Sequence, residues 1–183
     1  MAGNFKILYQ ILLFGFLFSC SSNKNESVGK EIINQNFNSF LTDLPIFPSK
    51  ENPDGVLPII VSDSIKINYF INNYCREDCF DKINKEGFNI NEKTNYLIFR
   101  ITKLPQNIEY QKIYLKHSNK KLKINDYIEI NFSNFYFNKE NNKAFIIVEK
   151  DEHGSKGGKT EVYFFEKKVD GWKLYKKELL MIG

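Results

Sequence analysis

The chain has 183 residues, 42% of them apolar and 15% aromatic, with 26 Lys and Arg against 22 Asp and Glu. That apolar share excludes a disordered chain, and the length suits one domain with its own core. The charge is uneven: residues 20–102 hold 9 basic and 11 acidic groups, whereas residues 103–183 hold 16 Lys, 11 acids and no Arg. Nucleic-acid and phosphate sites favour the bidentate fork of Arg. A Lys-only excess therefore reads as a solvated surface, and nucleic acid is not expected as a partner.

Residues 1–19 read as an export signal. Lys6 precedes an apolar run from Ile7 to Phe18, broken once at Gln10. As a helix, twelve residues reach about 18 Å, short of the roughly 30 Å hydrocarbon core of a bilayer. A cleaved leader fits better than a membrane span. The run ends in Leu17-Phe18-Ser19-Cys20, which resembles the lipobox of bacterial lipoproteins. That resemblance implies that Cys20 becomes the first residue, carries a thioether-linked diacylglycerol and is acylated on its amine. Several acyl chains anchor stably where one alone is marginal. Ser21 is not the Asp of the familiar inner-membrane retention rule, so the resemblance favours the outer membrane. The expected partner is thus the bilayer, through Cys20. Residues 20–30 read as a tether of Ser, Asn and charged groups, about 17 Å long root-mean-square. A single α+β domain is expected over residues 31–183.

Within that domain, Glu31 to Leu44 is the clearest helix. Ile32, Ile33, Phe37, Phe40, Leu41 and Leu44 make one apolar stripe at helical spacing, and Pro45 stops it. Pro45 to Pro58 holds four prolines and the turn Asn52-Pro53-Asp54-Gly55, and reads as an ordered loop. Ser62 to Tyr74 carries both periodicities, and the reading leans to a helix. Glu77 to Glu86 is a second helix, with acids in its first turn and Gly87 at its end. Asn95 to Thr102 reads as a strand, Asn107 to His117 as helix or strand, and Lys116 to Lys123 as a polar turn.

The remainder predicts an antiparallel meander. In Tyr127 to Phe137 the alternation slips near Ser133-Asn134, which predicts a bulge. Lys143 to Lys150 and Lys159 to Lys167 are apolar on both faces. Asp151 to Gly158 connects them, and Val169-Asp170-Gly171 is a hairpin turn before a last strand from Trp172 to Ile182. A sheet with one wet face should alternate cleanly. Something must cover the second face: the chain's own helices, a partner or a ligand. Helices followed by a sheet of four to five strands resemble cystatin-like or NTF2-like architecture in element order. The final hairpin, Tyr163 to Leu174, is similar to one in small lipoproteins of the Bacteroidota, and that likeness implies no activity.

Few residues carry chemistry. Cys75 and Cys79 flank Arg76-Glu77-Asp78. In an oxidising compartment a structural disulfide is preferred over two free thiols, and both over a metal site, because C-x3-C with no neighbouring His is weak. His153 to Thr160 has a superficial likeness to a phosphate-binding loop, but it lacks the first Gly and the following helix, so a hairpin loop is preferred. His117 and His153 lie far apart, and no motif supplies a nucleophilic Ser for them. The strand acids Glu129, Glu149 and Glu161 are the candidates for a general acid and base. No catalytic residue, cofactor or metal is assigned. The preferred reading is a non-catalytic module that binds an envelope protein or small ligand. An enzyme with a pocket in the concavity of the sheet and a structural component of an envelope assembly are the alternatives.

Overall fold

The computed structural model describes residues 27–44, 53–66, 75, 77–89, 96–97, 100–106, 112–116, 126–153 and 157–183. The leader, Cys20, most of the tether and the proline loop, and His117 lie outside these residues.

Helix α1 spans residues 27–40, with a turn over 41–43. It starts four residues earlier than the apolar stripe suggested, so residues 27–30 are helix and not tether. Val28 packs on the core, which gives the extra turn a tertiary anchor. The expected stripe is buried: Ile32, Ile33, Phe37 and Phe40 join one hydrophobic cluster, and Leu41 and Leu44 pack at its margin.

Eight strands follow among the described residues. β1 is Ile59–Lys66, β2 Tyr96–Leu97, β3 Ile113–Lys116, β4 Tyr127–Ser133, β5 Phe135–Phe137, β6 Lys143–His153, β7 Gly157–Lys168 and β8 Gly171–Ile182. Helix α2, Glu77–Lys85, lies between β1 and β2. The class is α+β, but the sheet exceeds four to five strands and is mixed. β1 runs parallel to both β3 and β4, while β4, β6, β7 and β8 form the antiparallel meander.

The lean to helix over Ser62 to Tyr74 is corrected as far as Lys66, because those residues continue β1. Ile59-Ile60-Val61 is fully buried. A continuous β-branched run suits a strand flanked on both sides, and pairing with β3 and β4 outweighs the helical spacing further on. The strand expected over Asn95 to Thr102 is shorter: Tyr96 and Leu97 pair with β5, while residues 100–102 are irregular. The expected bulge is present. Asn134 interrupts the strand between β4 and β5, and both halves pair with the same edge of β6. The connection between β6 and β7 is shorter than expected, because the ladder runs out to Glu152 opposite Gly157. At the last hairpin Val169 and Asp170 form the turn, and Gly171 takes the left-handed φ of 115° as β8 begins.

Both faces of the meander are covered by the chain itself. On the first face, α1 meets Ile130, Phe132, Ile146, Val148, Tyr163 and Phe165. Phe40 sits at the centre, with edge-on ring contacts to Phe132 at 5.1 Å and Tyr163 at 4.9 Å. On the second face, Cys79 and Ile83 of α2, with Phe88, cover Phe145, Ile147, Val162 and Phe164. Cys75 and Cys79 are bonded to one another across α2's first turn, with Cα atoms 5.2 Å apart. Lys85 ends α2, and Gly87 follows at a φ of 87°.

α1 also closes the start of the β8 edge. Gln35 Oε1 accepts the Trp172 N–H at 2.7 Å, and Asn36 bonds both the Trp172 carbonyl at 2.9 Å and the Leu174 N–H at 3.1 Å. An exposed strand edge is a template for unwanted pairing, and these amides occupy it. Phe40→Ala should cost about 3–5 kcal/mol. Asn36→Ala, which orphans two backbone groups of β8, should cost about 1–3 kcal/mol. Urea unfolding midpoints of the two variants measure both.

Candidate functional site

Strand alternation places Val148 and Lys150 of β6, and Glu161 and Tyr163 of β7, on the face that α1 covers. The register sets Val148 opposite Glu161 and Lys150 opposite Lys159, so Lys150 and Glu161 are diagonal neighbours. Lys150 is 1% exposed. Its ammonium donates to Glu161 Oε2 at 2.7 Å, the Tyr163 hydroxyl at 3.0 Å and the Thr42 carbonyl at 3.1 Å. Tyr163 in turn donates to Glu161 Oε2 at 2.8 Å.

Two further lysines close the cluster. Lys159 bonds Glu161 Oε1 at 3.2 Å and the Asp43 carbonyl at 2.8 Å. Lys177 bonds the Asp43 carboxylate and the Thr42 hydroxyl. All three cations meet the turn that ends α1, where unpaired carbonyls and the negative end of the helix dipole favour positive charge. Glu161 neutralises part of the charge they gather.

Burial pushes the Lys150 ammonium down to about 8, against the pull of Glu161. Burial also opposes ionisation of Glu161, but the Lys150 hydrogen bond and charge outweigh it and hold the carboxyl below its usual range. The Tyr163 hydroxyl is driven well above the ordinary phenol range by burial and then by the Glu161 charge. A nucleophilic lysine needs a neutral amine with an available lone pair. All three N–H groups of Lys150 are engaged, so this is a fixed ion pair and not a poised nucleophile.

Above the cluster lies an open cavity of about 470 Å³, lined by Asp43, Glu152, Lys159 and Glu161. Leu179 and Ile182 of β8 also line it. Both are exposed, Leu179 at 44% and Ile182 at 74%. This rim is apolar and the floor is charged.

The three strand acids do not converge. Glu161 joins the first face, whereas alternation puts Glu129 and Glu149 on the second. Glu129 accepts from Lys116 at 2.8 Å and lies 2.9 Å from His153 Nε2, and His153 stacks on Tyr127 at 4.3 Å between ring centres. Among the described residues no serine bonds to His153. The Ser62 hydroxyl, on the neighbouring β1, pairs with that of Ser64 at 3.0 Å. No group of three or more His, Cys, Asp or Glu among the described residues could hold a metal ion, and no described helix is long and apolar enough to cross a membrane.

Lys150, Tyr163 and Thr42 were not singled out from sequence. Phase was the available signal: Lys150 continues the Ala144-Ile146-Val148 core face, and Glu161 precedes Tyr163 and Phe165 on theirs.

Comparison of the chain with protein-family models, curated proteins and solved structures finds no match. The ion pair makes its own predictions. Lys150→Met should cost about 3–5 kcal/mol by leaving Glu161 short of its nearest counter-charge, and adding Glu161→Leu should recover most of that loss. Lys150 loses its proton near 8 when folded and at its ordinary 10.5 when unfolded. Between those values the unfolded chain holds more protons, so stability rises with pH. The urea midpoint should climb from pH 8 to about 10 in the native chain, and less in Lys150→Met. Above pH 10 the raised Tyr163 pKa opposes the trend.

Proposed function

We propose that the protein is an exported lipoprotein, acylated on Cys20 and held at the cell envelope, with the outer membrane favoured over the inner. Its folded domain is a non-catalytic module that binds an envelope protein or small ligand. The observation that supports binding is the cavity at the C-terminal end of α1. There a charged floor adjoins exposed Leu179 and Ile182 on an edge strand. Exposed apolar side chains gathered beside polar groups are a feature of interaction sites.

The sheet faces themselves no longer call for a partner, since α1 and α2 cover them. A cystatin-like or NTF2-like architecture belongs to this proposal. It is supported by the order of α1 and β4 to β8, and it carries no activity. An enzyme with a pocket in the concavity of the sheet is the alternative reading, and the observation favouring it is the Glu129–His153 pair.

Two experiments test the proposal. The native chain should take up labelled fatty acid in a bacterial host and Cys20→Ser should not; failure of the native chain to label removes the lipoprotein reading. A photoreactive side chain at Leu179 should give one discrete crosslinked product in intact envelopes, while the same group at exposed Tyr114 on β3 gives none. Equal products at both positions, or none at Leu179, count against the binding site.

A further inference from the structure

We propose that a second cavity, at the N-terminal end of α1, holds the phosphate of an anionic phospholipid headgroup. The cavity measures about 430 Å³ and is open, and its described lining includes Lys30, Arg100 and Lys103 but no Asp or Glu. Ile33, Leu104 and Pro105 supply apolar wall beside these cations. A site with several cations and an adjoining apolar surface matches a phosphodiester joined to glycerol and acyl chains.

Arg100 is held ready for this task. Its Nε and Nη2 both donate to Asp63 Oδ2, at 3.2 and 2.7 Å. Asp63 is buried, with its side chain 1% exposed, while the Arg100 side chain remains 62% exposed. The guanidinium is therefore fixed on one edge, and Nη1 donates to no described residue. A pre-organised planar fork is the side chain best matched to a phosphate.

The position of the cavity favours a lipid over a soluble phosphate. Only seven residues lead from Cys20 to the first residue of α1, a reach of at most about 25 Å. α1 itself is about 21 Å long, so the cavity lies at its anchored end and the Lys150 cluster at the far end. The β7–β8 turn shares the anchored end. Gln35 of α1 bonds Trp172 at the start of β8, whereas Thr42 and Asp43 meet Lys177 further along it. Val169, at that turn, is fully exposed. This orientation rests on the acylation of Cys20. The acyl chains on Cys20 hold the chain at the bilayer by themselves, and a basic site beside them adds attraction to anionic headgroups that fixes how the domain sits on the surface.

The test separates the cavity from the anchor. The Cys20→Ser chain, which cannot be acylated, is sedimented with vesicles of phosphatidylcholine alone or mixed with phosphatidylglycerol. Binding is expected only to the mixed vesicles and should weaken with salt. A basic group near an anionic surface contributes about fivefold, so Lys30→Gln with Lys103→Gln should lower binding at least about tenfold. Lys85→Gln, at an exposed position on α2, should change it less than about twofold. Arg100→Lys keeps the charge and loses the fork, and should also bind more weakly. Circular dichroism confirms that each variant folds. Equal binding to both vesicles, an unchanged double variant, or an equal loss in Lys85→Gln overturns the proposal. Full release by millimolar glycerol phosphate overturns the lipid assignment in favour of a soluble phosphate. Fatty-acid labelling of the native chain reports on the anchor independently.

Discussion

Two adjacent strands, β6 and β7, carry apolar side chains on both faces, and that demands two layers of cover. Ile146, Val148, Tyr163 and Phe165 face α1, while Phe145, Ile147, Val162 and Phe164 face α2. A chain that covered one face alone would expose several large side chains, each contributing roughly 1.5–3 kcal/mol when buried. The order of elements follows from this. A helix before β1 takes one face, a second between β1 and β2 takes the other, and the disulfide joins Cys75 to the start of the second. Among the described residues the cluster under α2 has eight buried members against seventeen under α1, which makes a crosslink at that helix the more useful.

The same arrangement governs the charged groups. A helix laid along the sheet must end over it, and the carbonyls at that end need donors. Lys150 and Lys159 supply them, Lys177 holds the Thr42 and Asp43 side chains beside them, and Glu161 with the Tyr163 hydroxyl keeps the innermost ammonium satisfied within the core. Its first role is thus to fix where α1 stops. Its second is to form the floor of a cavity whose rim is apolar. At the opposite end of α1, the Arg100–Asp63 pair plays a comparable part, a buried carboxylate aiming an exposed guanidinium. α1 therefore separates two cavities of different character: one mixed in charge at its C-terminal end, the other basic at its N-terminal end.

Alternation and helical spacing report which side of an element is apolar, and they did so here for α1, α2 and the meander, down to the bulge at Asn134. They report nothing about what lies opposite. The parallel pairing of β1 with β3 and β4 joins segments more than fifty residues apart, and no local signal announces it. The site was legible to a similar degree. Glu161 stood out as a strand acid, but Glu129 and Glu149, which looked equivalent, point to the other face. Lys150 was passed over as the end of a strand, although its phase matched the core.

Sequence by itself determined the composition of a folded domain, the apolar run that precedes Cys20, the two amphipathic helices and the doubly apolar strands, because each is a property of neighbours along the chain. Tertiary structure alone decided that the chain covers both faces of its own sheet, that Lys150 and Glu161 meet in the core, and that Arg100 is braced by Asp63. Those facts depend on register and crossover between distant segments, where the free energy of burial is settled by partners that no local window contains.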